Sequence, residues 1–313
     1  MESLKFCLPM STLTVIAGCG YLGTFLAREL ISAGRPVLGL THREESAAAL
    51  AAAGIPAFAC DLTAHHSAIA AATHLATTYP PEDLHIVHCA ASGRGGRAEA
   101  YRAIYLEGCR NLRLAFPQAG RFFFTSSTSV YPQISGETVT ETTPAQPDRE
   151  TGQILRQTED ETLAAGGMVG RLAGIYGPGR SVLLKNFLAG QSVIDVRSES
   201  PATPDGRWVN QIHVKDAARA IAFLLQLDLA VEAPRLFNIA DSVPLLQRPL
   251  FTSLAQRFHL PLPSDAPPDL ARKRGWTHKK VSNARLLATG WQPLYPDWFS
   301  ALDAGEIMKD NEQ

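Results

Sequence analysis

The segment Val15–Gly23, VIAGCGYLG, constrains this chain more than any other. Gly18, Gly20 and Gly23 form G-x-G-x-x-G between a β-rich run, Leu13–Ala17, and a helical pattern, Tyr21–Ser32. In that setting each glycine has its own physical use. The first permits a tight turn, the second lets backbone approach a pyrophosphate, and the third allows the helix to pack closely on the strand. The helix N-terminus behind the turn offers unpaired N–H groups and the positive end of a dipole to an anion. The combination predicts the opening βαβ unit of a Rossmann fold and a dinucleotide site.

The rest of the first two thirds keeps the same rhythm. Further β-rich runs lie at Val37–Leu40, Ala57–Ala59, Ile86–Cys89, Phe122–Thr125 and Met168–Leu172, with helical spacing in Glu44–Ala53, Ala98–Phe116 and Thr151–Ala165. Strands alternating with helices predict an α/β, doubly wound parallel sheet with helices on both faces. After Arg171 the rhythm loosens into GIYGPGR, a polar stretch from Arg197 to Arg207 and a proline-dense segment around Pro261–Pro268. The periodic segments Asp216–Leu227 and Leu236–Ile239 return to the sheet. The expected division is therefore 1–170 as the nucleotide-binding Rossmann domain, with 208–240 returning to it, and 171–207 and 241–313 as a smaller, discontinuous C-terminal substrate lobe.

Composition narrows the function classes. Across 313 residues the formal charge is −1, with no Lys/Arg-rich run, which argues against a nucleic-acid partner. Cys7, Cys19, Cys60, Cys89 and Cys109 are odd in number and never spaced C-x-x-C, so neither a disulfide framework nor a zinc site is expected. His85 and His88, three apart on a strand, face opposite sides and cannot share a metal. No metal is predicted. MESLKFCLPM holds too short an apolar stretch for a signal peptide, and no run reaches the ~18 apolar residues of a membrane span, so the expected setting is the cytoplasm, away from membranes.

An NAD site usually carries an acid roughly 20 residues past the glycines, where it accepts the ribose hydroxyls. This chain reads GLTHREES instead. Thr41, His42 and Arg43 occupy the turn, and Arg43 can fork onto a 2′-phosphate while stacking on adenine. Glu44 and Glu45 fall in the first turn of the next helix, where acids favour the dipole. The expected cofactor is NADP rather than NAD.

These motifs resemble the extended, atypical short-chain dehydrogenase/reductases, the NAD(P)-dependent epimerase/dehydratase family. AGCGYLG resembles its glycine motif, which assigns Gly18, Gly20, Tyr21, Leu22 and Gly23 to the cofactor. CDL at Cys60–Leu62 resembles the adenine-contacting turn and brings in Asp61 and Leu62; HCAA at His88–Ala91 resembles the fourth-strand motif and brings in Cys89, Ala90 and Ala91. FTSSTSVYP, RLAGIYGPGR, NQIHVKDAA and KKVSNARLLATGWQPLYP extend the likeness nearly end to end. FTSSTSVY, ETTP and RLAGIYGPGR together resemble a bacterial YeeZ-type subgroup.

The resemblance also implies a catalytic set of a serine or threonine, a tyrosine, and a lysine four residues after the tyrosine. Ser127 matches the serine. The tyrosine and lysine are missing: Gly152 or Thr151 stands at the first position and Arg156 at or beside the second. Arginine holds a charge and ribose hydroxyls but is a poor proton shuttle. Tyr131 and Tyr105 are the candidate substitutes as proton donor; the alternative is packing, at the pocket floor for Tyr131 and in the helix–sheet core for Tyr105. His213 and Asp216 in IHVKD resemble a structural join between lobes. The implied function is an NADP-dependent oxidoreductase, epimerase or dehydratase acting on an unidentified small molecule, such as a sugar nucleotide, near Ser127, Tyr131, Ala173–Gly179 and Trp208–Asn210. The alternative is a catalytically inactive NADP-binding redox sensor or regulatory subunit, and relatives of this kind often form homodimers.

Overall fold

The computed structural model describes residues 12–93, 97–199, 202–228, 230, 233–270 and 276–308; Cys7 and the first ten residues lie outside them. Seven strands form one sheet. They are β1 Leu13–Ala17, β2 Val37–Thr41, β3 Ala57–Ala59, β4 Leu84–His88, β5 Arg121–Ser127, β6 Met168–Leu172 and β7 Leu236–Ile239, in the order β7-β6-β5-β4-β1-β2-β3. β1 runs parallel to β2 and β4, β2 to β3, and β4 to β5. Every residue of β1, β4 and β6 is buried, as befits near-continuous apolar strands covered on both faces. The strand order reverses between β1 and β4, the switch point where doubly wound sheets open a crevice at their carboxyl ends.

The helices carry the covering layers. In α1, Tyr21–Ser32, the buried residues Leu22, Leu26 and Leu30 recur every four positions and turn one stripe to the sheet. α2 spans Glu44–Ala52 and α3 His65–Ala76. The alanine-rich α3, which begins at His65 and His66, turns Ala68, Ala71 and Leu75 inward. The expected uninterrupted helix over 98–116 is instead α4, Ala98–Tyr101, a π-helical stretch, Arg102–Glu107, and α5, Gly108–Ala115. A π-bulge shifts the i→i−4 ladder and frees carbonyls for other partners. Ile104 O uses that freedom, lying 2.9 Å from His88 Nε2 at the end of β4. α6 spans Glu150–Ala164.

The chain divides into two compact units. The first holds residues 12–127, Glu150–Arg171 and Ala217–Phe237; the second holds Thr128–Arg149, Leu172–Asp216 and 238–308. This differs from the expected boundaries: 128–149, 208–216 and 238–240 belong to the second unit, and Arg171 to the first. The reason is pairing: Thr138–Val139 runs beside Lys280–Val281, and Gln211–His213 beside Gly174–Tyr176. The second unit has its own core, in which Tyr176, Phe187, Phe251, Leu254 and Trp298 are buried together. Among the described residues no helix is long and apolar enough to cross a membrane.

Candidate nucleotide and catalytic site

At the switch point the glycine loop leaves β1. Gly18 has φ +89°, and a Cβ placed on it would lie 2.3 Å from the backbone N and Cα of Ala90. Only glycine fits there. The loop is tied down by Gly18 N and Cys19 N, both donating to Leu40 O at 2.9 Å, and by Gly20 N donating to Gly18 O at 2.7 Å. A Cβ on Gly23 would meet Gly18 O at 2.9 Å and Ile16 Cγ2 at 3.1 Å, so α1 sits directly against the turn. Gly20 is the opposite case, since a Cβ there meets nothing within 4 Å. The space in front of Gly20 is open, and Gly20 is the N-cap of α1, the helix end that carries the positive pole of the dipole. An open glycine facing a helix N-terminus fits a dinucleotide pyrophosphate.

The neighbouring strand ends complete this side. Cys89 N donates to Ala17 O at 2.7 Å, carrying the β1–β4 ladder past the strands and setting Ala90 and Ala91 beside the glycine turn. At the end of β2, Thr41 Oγ1 donates to Arg43 O at 3.0 Å and closes the turn that starts α2. Arg43 is exposed and forms no ion pair among the described residues. Asp61 comes across from the end of β3, with Oδ1 3.7 Å from His42 Nδ1. Its carboxyl is held below the usual range by the Thr63 hydroxyl, which donates to it at 2.7 Å, with His42 and His66 adding weaker attraction. Leu62 is buried, and its carbonyl accepts from Asn111 Nδ2 at 2.8 Å.

β5 ends in Ser126 and Ser127. Thr125 Oγ1 donates to His88 O at 2.9 Å, locking the ends of β5 and β4 together. Burial drives the His88 imidazole down to about 4, so it is neutral at pH 7, packed against Phe124 and Tyr105. Next to Ser127 in sequence, Ser126 joins an ionic network centred on a buried carboxylate. Ser126 Oγ donates to Glu159 Oε1 at 2.5 Å, and Arg171 reaches the same carboxylate through Nε at 3.0 Å and Nη2 at 2.7 Å. Arg156 Nη1 bonds Glu159 Oε2, and Arg156 Nη2 bonds Asp160 Oδ1 at 2.5 Å. Glu159 is fully buried and Arg171 is 2% exposed. Two carboxylates face two guanidiniums, and every Glu159 lone-pair direction is used, which makes such burial tolerable. The sequence reading missed Glu159 and Arg171. Its available signal was a lone arginine inside the apolar run MVGRL, where a charge demands a partner.

The candidate catalytic residues fare differently. Ser127 sits at the carboxyl end of β5, and Gly152 and Arg156 lie four apart on α6, with Gly152 buried. Tyr131 belongs to the second unit, where it is fully buried with its hydroxyl 2.9 Å from both Thr140 O and Asn238 Oδ1. A phenol has one hydrogen to give, and this one is spent within the unit's interior. Tyr131 is a strut there rather than a proton donor. Tyr105 packs 4.9 Å from Tyr101, ring to ring, over the π-bulge. In the second unit, Asp216 accepts from Leu294 N at 2.6 Å and Tyr295 N at 2.9 Å, and His213, kept neutral by burial with a pKa of about 4, packs 4.4 Å from the Tyr295 ring.

Comparison with known proteins agrees with this fold. The NAD dependent epimerase/dehydratase family matches residues 14–240. The chain belongs to that family. It is 30% identical over 299 residues to protein YeeZ of Escherichia coli (strain K12), covering 90% of this chain and 96% of YeeZ. A structure from Methylobacillus flagellatus, assigned to the NAD-dependent epimerases/dehydratases, is 33% identical with a TM-score of 0.71, covering 95% of this chain and 97% of that one. The human epimerase family protein SDR39U1 (isoform 2) with NADPH shares the fold, with a TM-score of 0.69 at 16% identity over 93% of this chain and 98% of that one.

Proposed function

We propose that this epimerase/dehydratase family member is an NADP-dependent oxidoreductase or epimerase that acts on a small carbonyl or alcohol substrate through an active site lacking the usual tyrosine and lysine. The observation that carries the reading is the glycine loop, whose one open position, Gly20, faces the α1 N-terminus at the sheet's switch point. In this reading Gly18, Gly20, Tyr21, Leu22 and Gly23 hold the pyrophosphate by backbone. His42 and Arg43 take the 2′-phosphate, while Asp61, Leu62, Cys89, Ala90 and Ala91 line the adenine and ribose side. A nicotinamide dinucleotide, when bound, supplies or accepts a hydride.

The chain's own residues do the remainder. Ser127 orients the substrate oxygen by hydrogen bonding, and its neighbour Ser126 is fixed to Glu159 so that the strand end keeps its shape. Arg156 has N–H groups beyond the two bound by Glu159 and Asp160, and these hold a ribose hydroxyl. It stays charged and moves no proton. With Gly152 unable to donate and Tyr131 spent, the proton comes from Tyr105, from water or from the substrate itself. The test is calorimetric titration with NADPH and NADH, followed by single-turnover oxidation of bound NADPH against a panel of aldehydes, ketones and sugar nucleotides. Tight NADPH binding with turnover lost in Ser127→Ala supports the reading. NADPH binding with no turnover across the panel overturns it in favour of a non-catalytic sensor.

A further inference from the structure

The second unit holds a buried amine without a counter-ion. Lys279 is 3% exposed, and its Nζ donates to Tyr131 O at 2.6 Å and Thr277 Oγ1 at 3.1 Å. Among the described residues no carboxylate comes within ion-pair distance of it. The charged groups that face it are Arg207, which repels an ammonium and is itself paired with Asp195 at 2.9 Å, and Glu137, whose attraction is weaker than the Arg207 repulsion. His278, the adjacent residue, is also shifted toward its neutral form by burial. Lys280 turns away and lies over the Trp208 ring at 5.2 Å.

The backbone explains why this amine meets that carbonyl. The segment Thr277–Ser282 runs as a strap along the chain that leaves β5. His278 N donates to Gln133 O at 3.1 Å, Gly136 N to His278 O at 2.8 Å, Lys280 N to Glu137 O at 2.9 Å and Ser282 N to Val139 O at 2.9 Å. Side chains alternate along such a strap, so Lys279 points opposite to its two neighbours, inward to Tyr131. Tyr131 N in turn donates to Thr128 O at 3.3 Å, closing the turn that follows Ser127 directly in the chain.

We propose that Lys279 is a positioning residue that clamps the turn after Ser127 through the Tyr131 carbonyl, and that it does so as an uncharged amine. Two acceptors match the two hydrogens of a neutral amine, with its lone pair in the third direction. An ammonium in the same place has a third hydrogen to satisfy and a buried charge beside Arg207. Burial and Arg207 bring the pKa down to about 7 from 10.5, so the clamp is intact above neutrality and loosens as pH falls below it. In the unfolded chain the amine gains its proton near pH 10.4. The folded protein therefore loses stability as pH falls from that value to about 7, and the loss is complete below it. The functional weight of the clamp rests on the role given to Ser127 above, but the clamp itself is measured without cofactor or substrate.

The experiment is hydrogen exchange with mass spectrometry on peptides covering 128–140, corrected for intrinsic rates, in the free protein at about pH 6 and about pH 9. The native protein should show these amides less protected at the lower pH. Lys279→Met should lose protection at both, and Lys279→Arg, charged throughout, should stay loose at both. Native protection that is the same at the two pH values overturns the proposal, as does protection in either variant at about pH 9 that equals the native protein's. The pH comparison on the native protein stands even where a variant fails to fold. NADPH titration of the native protein reports separately on the nucleotide site, so a failed clamp and a failed nucleotide reading give different results.

Discussion

The two ends of the first unit's site are built on opposite principles. At the nucleotide end, three glycines within six residues do the work, and each acts by lacking a side chain: Gly18 because Ala90 is too close, Gly23 because the turn is too close, Gly20 because nothing is there at all. At the Ser127 end, the work is done by side chains from three elements, Ser126 on β5, Arg156 and Glu159 on α6, and Arg171 on β6. The first kind of site is a property of local backbone. The second exists only once the sheet has brought its strands together. The difference teaches that the α6 face carrying Gly152 and Arg156, where the resemblance would put a tyrosine and a lysine, is not an empty one. An ionic network anchors that face instead.

The largest effect should come from breaking the network at its centre. Glu159→Ala leaves the Arg171 guanidinium buried without its carboxylate, and removal of one partner from a buried pair costs about 3–5 kcal/mol. Urea denaturation should show a drop of that order. Glu159→Gln keeps an acceptor for Ser126 and should lose less. A loss below about 1 kcal/mol in Glu159→Ala would mean that the pair behaves like an exposed surface bridge, and the contrast between the two ends would fall with it.

The next effect separates binding from folding. Gly20→Val adds a side chain where the free protein has open space, so the unfolding midpoint should stay close to native while NADPH affinity falls by at least about 100-fold, or roughly 2.7 kcal/mol. Calorimetry together with thermal unfolding reads both. Gly18→Val should do the reverse and fail mainly in folding, since its Cβ meets Ala90 backbone and its φ is +89°. Two glycines two positions apart should therefore give opposite phenotypes. If Gly20→Val bound NADPH as tightly as the native chain, the pyrophosphate would have to lie elsewhere.

These contrasts also explain what could be read in advance. β1, β3, β6 and β7 have the ends that apolar runs and turn residues predicted, because a buried parallel strand announces itself as a short apolar block. The glycine turn was legible for the same local reason. The π-bulge was not, since 102–107 carries the same helical spacing as its neighbours, and the partner that Ile104 O meets, His88, lies on β4. Nor were the partners of Tyr131, whose position just after Ser127 admitted both a proton donor and a packing residue. Its hydroxyl partners, Thr140 and Asn238, become visible only when residues 9 and 107 positions away in sequence fold against it. Side chains that depend on distant partners are where sequence reasoning about this chain stops.

The smallest effect tests whether the nucleotide end discriminates between cofactors. Arg43 is the first residue past the β2 turn that carries a full charge, and the turn is closed by Thr41 Oγ1 on the Arg43 carbonyl, which fixes the backbone while the side chain stays exposed. A charge-assisted contact to a 2′-phosphate contributes about 1.5–3 kcal/mol, but an exposed arginine is screened by salt and loses side-chain entropy on binding. The lower end of that range is the better expectation, a preference for NADPH over NADH of about tenfold. Arg43→Ala should remove most of it by weakening NADPH while leaving NADH unchanged, and raising the salt should do the same to the native chain. His42 sets the complementary control. Its imidazole lies 3.7 Å from Asp61, so His42→Ala should alter both cofactors alike if it serves the adenine side, and NADPH alone if it shares the phosphate. Equal affinity of the native chain for the two cofactors would show that the missing acid after β2 has not been replaced by a phosphate-binding cation, and Arg43 would then be an exposed residue at the start of α2.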